Sequence, residues 1–419
     1  MKQCELLVIG GGAAGIAAAL GAYENGVKSI LVVEREAEYG GILQQCIHNG
    51  FGLHTFNEEL SGPAYAQKYF DLVKDLEGVE FIYNSTVTSI NNKVVTIQNE
   101  NGLFDVEAKT IILSSGSRER PAGAIGLKGD RCVGVYTAGT AQKYLNKKGF
   151  LVGKKIFILG SGDIGLIMAR RMTLEGGKVI GVAELQPYSN GLARNIKQCL
   201  EDFDIPLYLS HTVEAVHGKQ RLESITLVAV DDKLNKIAGS EQEIECDCLL
   251  LSVGLIPDNT LLEDVGVKFD PRSKGAIVDN NYMTSVEGIF ACGNSLHVHD
   301  LVDYVSLEAR SAGKAAANYI KNGKDNSETI KNTLKNGVSY MVPQHFHKGN
   351  NIDFMFRVNR VFKECKIHVF GKGLDKTITK LGIVPSEMQK VSLKAEELAD
   401  LEGELNWEVT YYHKSSNIW

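Results

Sequence analysis

The chain has 419 residues, of which 44% are hydrophobic and 23% charged, a composition typical of a globular protein with roughly two to four domains. Its formal net charge of −6 excludes DNA or RNA as the main partner, because proteins that bind nucleic acids carry an excess of lysine and arginine. The longest apolar runs are too short for a bilayer and the first residues do not resemble a secretion signal. We therefore expect no transmembrane segment and a cytoplasmic location.

The first predicted element is a dinucleotide-binding turn. An apolar strand from Glu5 leads into Gly10-x-Gly12-x-x-Gly15, an alanine-rich helix follows, and a second strand closes on Glu34. The glycines allow a tight turn and a close approach of the backbone to a pyrophosphate, which meets the N–H groups at the start of the helix. The acid accepts hydrogen bonds from ribose hydroxyls. The pattern therefore predicts one bound dinucleotide.

The same pattern returns with its positions shifted by 150 residues. A strand leads into Gly160-x-Gly162-x-x-Gly165, a helix follows, and the next strand closes on Glu184. A complete second copy is stronger evidence than a glycine motif alone. Because a carboxylate at this point pairs with a free 2′-hydroxyl and repels a 2′-phosphate, Glu184 favours NADH over NADPH. Two dinucleotide sites in one chain indicate two redox carriers that exchange a hydride.

Three further motifs complete a family pattern. Residues 110–117 and 248–257 each contain an apolar strand followed by a glycine, Gly116 in the first and Gly254 in the second. Residues 288–294 read Gly-Ile-Phe-Ala-Cys-Gly-Asn. With them, residues 4–320 resemble the two-dinucleotide-fold flavoproteins of the pyridine nucleotide-disulfide oxidoreductase superfamily. The resemblance implies an α/β fold with two Rossmann-like dinucleotide-binding domains. It also implies an NAD(H)-dependent enzyme that contains FAD and transfers a hydride between nicotinamide and flavin.

The resemblance also implies which residues bind the cofactors. For FAD these are Gly10, Gly12, Ala13, Ala14, Gly15, Glu34, Arg35, Gly41, Ser115, Gly116, Ser117, Gly293 and Asn294. For NAD(H) they are Gly160, Gly162, Asp163, Ile164, Gly165, Glu184 and Gly254. Asn294 stands where the family has an aspartate that holds the ribityl chain of FAD, and an amide can still hydrogen-bond a hydroxyl. The helix predicted from Leu301 has its N-terminus at the flavin pyrimidine in this superfamily, where its dipole favours reduced flavin.

The segment after Gly40-Gly41 contains a single cysteine, Cys46, where the disulfide reductases of the superfamily have two. Exchange between a dithiol and a disulfide within one subunit is therefore excluded at this site. We interpret Cys46 as a packed thiol, since free cysteines are commonly buried. The alternative is a catalytic cysteine that cycles through sulfenic acid, as in NADH oxidases and peroxidases.

Two His-x-His pairs, 297–299 and 345–347, are the candidate metal ligands. We assign no metal site, because two ligands without a third ligand and a supporting shell do not make one. The first pair and Asp300 follow the motif at 288–294. These three residues are candidates to line the substrate side of the flavin, and ordinary loop residues are the alternative.

The composition becomes polar near Gly323, which indicates a linker. Four short and partly alternating strands are predicted beyond it, at 353–358, 366–370, 376–381 and 389–393. We therefore predict three domains. They are an FAD-binding domain at 1–118 and 257–323, an NAD-binding domain at 119–256, and a small β-rich C-terminal domain at 324–419.

A narrower resemblance is carried by residues 40–52, 291–295 and 385–388. They are similar to the flavoprotein subunits that accompany anaerobic-type glycerol-3-phosphate dehydrogenases, with opine, sarcosine and hydrogen-cyanide-forming oxidase subunits as cousins. The resemblance implies an oligomer in which a partner dehydrogenase subunit, or a small-molecule substrate, exchanges electrons with this chain. The C-terminal domain, with Trp407 and Trp419, is the predicted contact surface, and packing within that domain is the alternative.

Two other functions remain open at this point. One is a self-contained NADH oxidase or peroxidase that uses Cys46. The other is a non-catalytic regulator that binds nucleotides without turnover. Consumption of NADH in air by the pure protein separates these possibilities.

Overall fold

The computed structural model describes residues 1–412, which form two compact units. The first unit comprises Met1–Gln44, His48–Ser117 and the chain from Pro257 onward. The second comprises Gln45–Ile47 and Arg118–Ile256. Both units contain a parallel sheet with helices packed on it, so the predicted α/β class is confirmed.

The main sheet of the first unit is built around the strand Lys2–Ile9. Its strands are, in spatial order, Val79–Ile82, Ile30–Val33, Lys2–Ile9, Gly102–Leu113, Val94–Asn99 and Thr86–Asn91, and Ile289–Ala291 also pairs with Gly102–Leu113. The strands Ile30–Val33, Lys2–Ile9, Gly102–Leu113 and Ile289–Ala291 run parallel, with every side chain of Ile30–Val33 buried. Such continuous apolar strands are typical of a parallel sheet covered on both faces.

Two helices pack tightly on this sheet. Ala13–Glu24 follows the first glycine turn, and Val302–Asn322 follows the motif at 288–294. A Cβ added at Gly21 would lie 2.2 Å from the backbone oxygen of Arg310, and one at Gly313 would lie 2.0 Å from that of Ala18. The two glycines therefore let the helix backbones approach more closely than side chains permit.

The C-terminal part of the first unit is β-rich, as predicted. One sheet contains, in spatial order, His345–His347, Thr329–Leu334, Glu402–Tyr411, Phe362–Lys372 and Leu374–Ile383, and a second contains Val338–Val342, Ile352–Val358 and Gln389–Leu393. The four strands predicted from alternation are all present, three of them longer than predicted. Side chains from both sheets form one hydrophobic core that includes Trp407.

The second unit repeats the parallel arrangement. Its first sheet contains, in spatial order, Val135–Thr137, Cys248–Leu251, Lys155–Leu159, Lys178–Glu184 and Leu207–Leu209, all parallel. A second sheet contains Lys128–Gly129, His211–His217, Ser224–Ala229 and Gln242–Glu245. The α-helices of this unit are Ala138–Lys148, Asp163–Leu174 and Ala193–Cys199.

The remaining elements are short. The α-helices are Gly62–Asp71, Thr260–Glu263 and Ala395–Leu398, and the 3-10 turns are Gly41–Gln45, Ala122–Ile125, Glu201–Phe203 and Gly293–Ser295. The strands Asn49–Phe51 and Leu60–Ser61 pair with each other, and Ser117–Glu119 and Leu255–Pro257 form a further pair. Among the described residues, none of the helices is long and apolar enough to cross a membrane.

Candidate functional site

The first glycine turn joins the strand Lys2–Ile9 to the helix Ala13–Glu24. Gly10 has φ +103°, a backbone conformation that L side chains rarely adopt, and a Cβ at Gly15 would lie 1.8 Å from the carbonyl oxygen of Gly10. Gly12 is the N-cap residue of this helix and provides no side-chain hydrogen bond to it. The first N–H groups also have no partner within the helix, as at the start of any helix. The turn is therefore shaped to present backbone donors to an anion.

The second glycine turn has nearly the same geometry. Gly160 has φ +100°, and a Cβ at Gly165 would lie 2.7 Å from the carbonyl oxygen of Gly160. The helix Asp163–Leu174 again begins without a side-chain cap, at Gly162. The spacing found in the sequence therefore corresponds to two equivalent backbone turns.

Each turn is tied to the glutamate at the end of the following strand. Glu34 accepts the N–H of Gly11 at 2.7 Å through Oε2 and that of Glu36 at 2.8 Å through Oε1. Glu184 accepts the N–H of Ser161 at 3.0 Å through Oε2 and that of Gln186 at 3.0 Å through Oε1. Both carboxylates are buried. The shift of 150 residues thus holds for the hydrogen bonds as well as for the sequence.

The two sites differ in one hydrogen bond. Ser161 Oγ donates to Glu184 Oε2 at 2.6 Å, whereas the matching position of the first turn is a glycine. Glu184 therefore accepts three hydrogen bonds within the protein and Glu34 accepts two. Since an ionised carboxylate can accept about four, each has capacity left for a ribose hydroxyl.

Open space lies beside the glycines that a cofactor would approach. At Gly12 the nearest heavy atom to an added Cβ is 4.0 Å away, at Gly162 it is 3.8 Å away, and at Gly116 nothing lies within 4 Å. Gly41 lies next to Gly12, with its added Cβ 3.3 Å from Gly12 Cα. These residues fit a bound dinucleotide, because a side chain at any of them would fill the space beside the turn.

The other predicted residues occupy varied surroundings. Arg35 and Gly254 are exposed, Ser117 and Ile164 are half-buried, and Ala14 is buried beside the half-buried Ala13. Ser115 Oγ donates to the carbonyl of Asp258 at 2.7 Å. Asp163 Oδ1 accepts the Leu192 N–H and the Asn195 side-chain amide, so its side chain holds the loop at 192–195. The backbone N–H of Asp163 is therefore the group that could donate a hydrogen bond to a nucleotide.

Asn294 lies in the 3-10 turn Gly293–Ser295, directly before the loop that leads to the helix Val302–Asn322. Its Oδ1 accepts the backbone N–H of His299 at 3.0 Å. The amide NH2, which has no hydrogen-bond partner within residues 1–412, is then available to donate to a hydroxyl, a role that an aspartate could not play.

The loop after Asn294 is held by the β-rich part of the same unit. Arg357 donates to the carbonyl of Val298 at 3.1 Å and forms an ion pair with Asp300. Asp300 also accepts the N–H of Met388 at 2.6 Å. The short motif at 385–388, noted in the sequence, therefore contacts the loop beside the proposed flavin motif.

A buried cluster of three polar residues lies on this loop and on the following helix. His297 Nε2 lies 2.7 Å and His299 Nε2 lies 3.3 Å from the same oxygen, Glu308 Oε2. The other oxygen of Glu308 accepts the backbone N–H of Gly293 at 2.7 Å. Glu308 was not predicted from the sequence, because it lies eleven positions after His297 and two other acids, Asp300 and Asp303, lie closer to the pair.

The charge state of this cluster follows from its surroundings. Burial alone would raise the pKa of Glu308, but attraction to His299 and His297 and the hydrogen bond with His297 outweigh it and hold the pKa below its usual value. Burial lowers the pKa of His297, although Glu308 opposes that shift. The net shifts therefore favour the carboxylate form of Glu308 and the neutral form of His297.

Cys46 follows the 3-10 turn Gly41–Gln45 and packs within the second unit. Its Sγ lies 3.8 Å from Gln142 Oε1, and the neighbouring Gln45 donates to the carbonyl of Gly139 at 2.9 Å. Burial raises the pKa of the Cys46 thiol to about 12. All eight cysteines of the chain are free. These observations favour the packed thiol over the redox cysteine.

Comparisons with known proteins agree with this geometry. A family model described as pyridine nucleotide-disulphide oxidoreductase matches residues 4–318. The glutamate synthase (NADPH) small chain of Mycobacterium tuberculosis is 28% identical over 353 residues, which cover 75% of this chain and 66% of that protein. One of the opine oxidase subunits of Agrobacterium tumefaciens is 23% identical over 313 residues, which cover 69% and 61%. This chain thus spans less than two thirds of the length of either relative.

Among solved structures, thioredoxin reductase from T. acidophilum superposes with a TM-score of 0.61 at 23% identity. The match covers 76% of this chain and 98% of that protein. At this identity the likeness describes the fold, which is the one predicted for residues 4–320.

Proposed function

Because the chain belongs to the pyridine nucleotide-disulphide oxidoreductase family, we propose that it transfers a hydride between NAD(H) and FAD within a multi-subunit dehydrogenase. Membership makes it an oxidoreductase with the cofactors of that family, FAD and a pyridine nucleotide. The choice of NAD(H) and the subunit role, of the glycerol-3-phosphate or opine type, are the finer parts of the proposal.

The observation that carries the proposal is the pair of equivalent turns. Each turn presents the N–H groups at a helix start and is anchored by a buried glutamate, Glu34 in one and Glu184 in the other. We assign FAD to the first turn and NAD(H) to the second. FAD accepts or donates the hydride, and the residues of this chain bind and orient the two carriers.

Glu184 supports NAD(H) over NADP(H). Its carboxylate is buried and held in place by Ser161 and Gln186, so it cannot swing away from a nucleotide without losing three hydrogen bonds. A 2′-phosphate would bring a second negative charge to this carboxylate. Arg194, the nearest arginine downstream, is exposed, and the hydrogen bonds of this carboxylate come from Ser161 and Gln186 instead.

The subunit role is supported by what surrounds Cys46. The thiol is buried with its pKa at about 12, and a second cysteine for dithiol chemistry is absent from residues 40–52. A thiol accepts electrons from a flavin only after it has been oxidised to a sulfenic acid or a disulfide, and a buried thiol that stays neutral resists that oxidation. Two relatives are named as the small chain of a glutamate synthase and as one of the subunits of an opine oxidase. A partner subunit is therefore the proposed second electron site.

The proposal is tested by comparing the isolated chain with the chain expressed beside candidate dehydrogenase subunits. We expect the isolated protein to reduce an artificial acceptor with NADH, and substrate-dependent reduction of NAD to require a co-eluting partner. If the isolated chain oxidises a specific metabolite at about 10 per second, an ordinary enzymatic rate, the subunit role is wrong.

The same experiment separates the alternatives. Rapid consumption of NADH in air, abolished in Cys46→Ser, would indicate the self-contained oxidase or peroxidase. Nucleotide binding without reduction of any acceptor would indicate the regulator.

A further inference from the structure

His297, His299 and Glu308 bring three ligand atoms to one point. Both imidazole Nε2 atoms face Glu308 Oε2, at 2.7 and 3.3 Å, and the three ligand atoms all lie within 4.8 Å of one another. Ligands at about 2.1 Å from one ion, at tetrahedral or octahedral angles, lie roughly 3 to 3.5 Å apart. The observed separations are close to those of ligands that share one ion.

Hydrogen bonds within the protein do not complete this cluster. His297 Nε2 has the geometry of a hydrogen bond to Glu308, but His299 Nε2 has not, and it is without a hydrogen-bond partner among the described residues. His299 is 9% exposed and its side chain 1%, so bulk water does not reach this nitrogen. Buried polar atoms of native proteins are rarely left in this state.

The charge of the cluster also favours a cation. Glu308 is buried, and within the part of the chain that the structure describes no lysine or arginine forms a salt bridge with it. Arg357 approaches this loop, but its guanidinium is paired with Asp300. Burying a carboxylate without a lysine or arginine partner is costly, and a bound cation would offset that cost.

We propose that His297, His299 and Glu308 bind one divalent transition-metal ion, of the Zn²⁺ or Fe²⁺ class. Two imidazoles and one carboxylate are ligands that such ions prefer, whereas Mg²⁺ and Ca²⁺ prefer oxygen ligands alone. Asp300, which directly follows the first His-x-His pair, is paired with Arg357, and Glu308 on the helix Val302–Asn322 supplies the third ligand instead.

The ion would connect this site to the proposed flavin motif through one side chain. Glu308 uses Oε2 toward the ion, while its Oε1 accepts the N–H of Gly293, the residue before Asn294. Binding of the ion would fix the Glu308 carboxylate and with it the turn Gly293–Ser295. We therefore expect the metal to raise the thermal stability of the FAD-loaded protein.

The experiment measures metal binding directly, without turnover. The full-length, FAD-containing protein is treated with a chelator, dialysed against Zn²⁺, and its zinc and FAD contents per chain are determined. We expect about one zinc per chain, with an X-ray absorption spectrum that indicates two imidazoles and at least one carboxylate oxygen. His299→Ala and Glu308→Gln should weaken zinc binding at least tenfold and remove the rise in melting temperature.

The second His-x-His pair provides the matched control. His345→Ala should keep zinc binding, because His345 is not part of the cluster. The inference is overturned if the FAD-loaded wild-type protein takes up no stoichiometric zinc or iron, or if zinc remains bound in both cluster variants. The wild-type stoichiometry and spectrum decide the question even where a variant does not fold, and they do so independently of hydride transfer.

Discussion

Glu34 and Glu184 each end the second strand of a glycine turn and hold the backbone N–H that follows the first glycine of that turn. The two residues therefore fix the shape of the turn, in addition to the ribose contact proposed for each. This double role explains why both are buried acids, which are otherwise rare in protein interiors. A variant that tests the carboxylate charge must therefore keep the hydrogen bond between the glutamate side chain and the turn.

Glu184→Gln removes the charge and keeps an acceptor for Ser161. We expect the ratio of kcat/KM for NADPH to that for NADH to rise about tenfold, equivalent to about 1.4 kcal/mol, because the repulsion of the 2′-phosphate is lost. Steady-state reduction of an artificial acceptor measures both values. Glu34→Gln is the control, since it should affect FAD content and leave the ratio unchanged. An unchanged ratio in Glu184→Gln would contradict the role given to its charge.

Cys46 is expected to be dispensable for hydride transfer. Burial raises the pKa of its thiol to about 12, so the thiol stays neutral in the folded protein at pH 8. In the unfolded chain the same thiol would ionise at a lower pH. Cys46→Ser should keep the NADH-driven reduction of an artificial acceptor within about tenfold of wild type, a change of less than about 1.4 kcal/mol. Cys46 in the native protein should also resist iodoacetamide at pH 8. A larger loss of activity would favour the peroxidase interpretation.

At the scale of elements, the helices Ala13–Glu24 and Val302–Asn322 connect the glycine turn to the motif around Gly293. They lie in direct backbone contact through Gly21 and Gly313. The helix Val302–Asn322 is also fixed at its start, where Asp303 accepts two backbone N–H groups from the segment at 52–55. Close packing of these helices therefore supports both parts of the proposed FAD site.

Gly313→Ala should loosen this contact. The added Cβ would lie 2.0 Å from the Ala18 oxygen, so one helix must shift, and we expect a loss of about 1–3 kcal/mol in the free energy of unfolding together with weaker FAD retention. Denaturation and FAD content after gel filtration measure the two effects. Gly123→Ala, where an added Cβ meets nothing within 4 Å, is the control and should be nearly neutral.

At the scale of the whole molecule, the C-terminal β-rich part has its own core. Trp407 is fully buried there, its ring 5.0 Å from Phe354 and its Nε1 donating to Asn332 at 2.9 Å. Trp407 therefore packs within the domain and is not part of the predicted contact surface, while the contact role of the rest of the C-terminal domain stays a prediction. Trp419 and the tail from His413 lie outside the described residues.

Trp407→Ala should destabilise this core. We expect a loss of about 3–5 kcal/mol, because a large aromatic side chain is removed from a fully packed site and the Asn332 side chain loses its partner. Chemical denaturation measures the loss. Leu381, which is 90% exposed, is the control, and Leu381→Ala should change stability by less than about 0.5 kcal/mol. Equal effects of the two variants would contradict the assignment of Trp407 to the core.

The features that could be predicted best from the sequence are those that depend on the spacing of nearby residues. The turns at Gly10 and Gly160 follow from glycine positions, and the C-terminal strands follow from alternation of apolar residues. The sequence could not predict Glu308 beside His297, because that contact depends on how a loop folds back on a helix. The packing of Cys46 against Gln142 was unpredictable for the same reason, since the two lie 96 positions apart in the sequence.

The central claim is that this one chain carries FAD and accepts a hydride from NADH. The most direct measurement is an anaerobic titration of the purified protein with NADH, followed by the visible absorption of the flavin. We predict about one FAD per chain, bleached by about one equivalent of NADH and reduced more slowly by NADPH. A protein that retains no FAD after mild purification, or whose bound flavin NADH does not reduce, would contradict this claim.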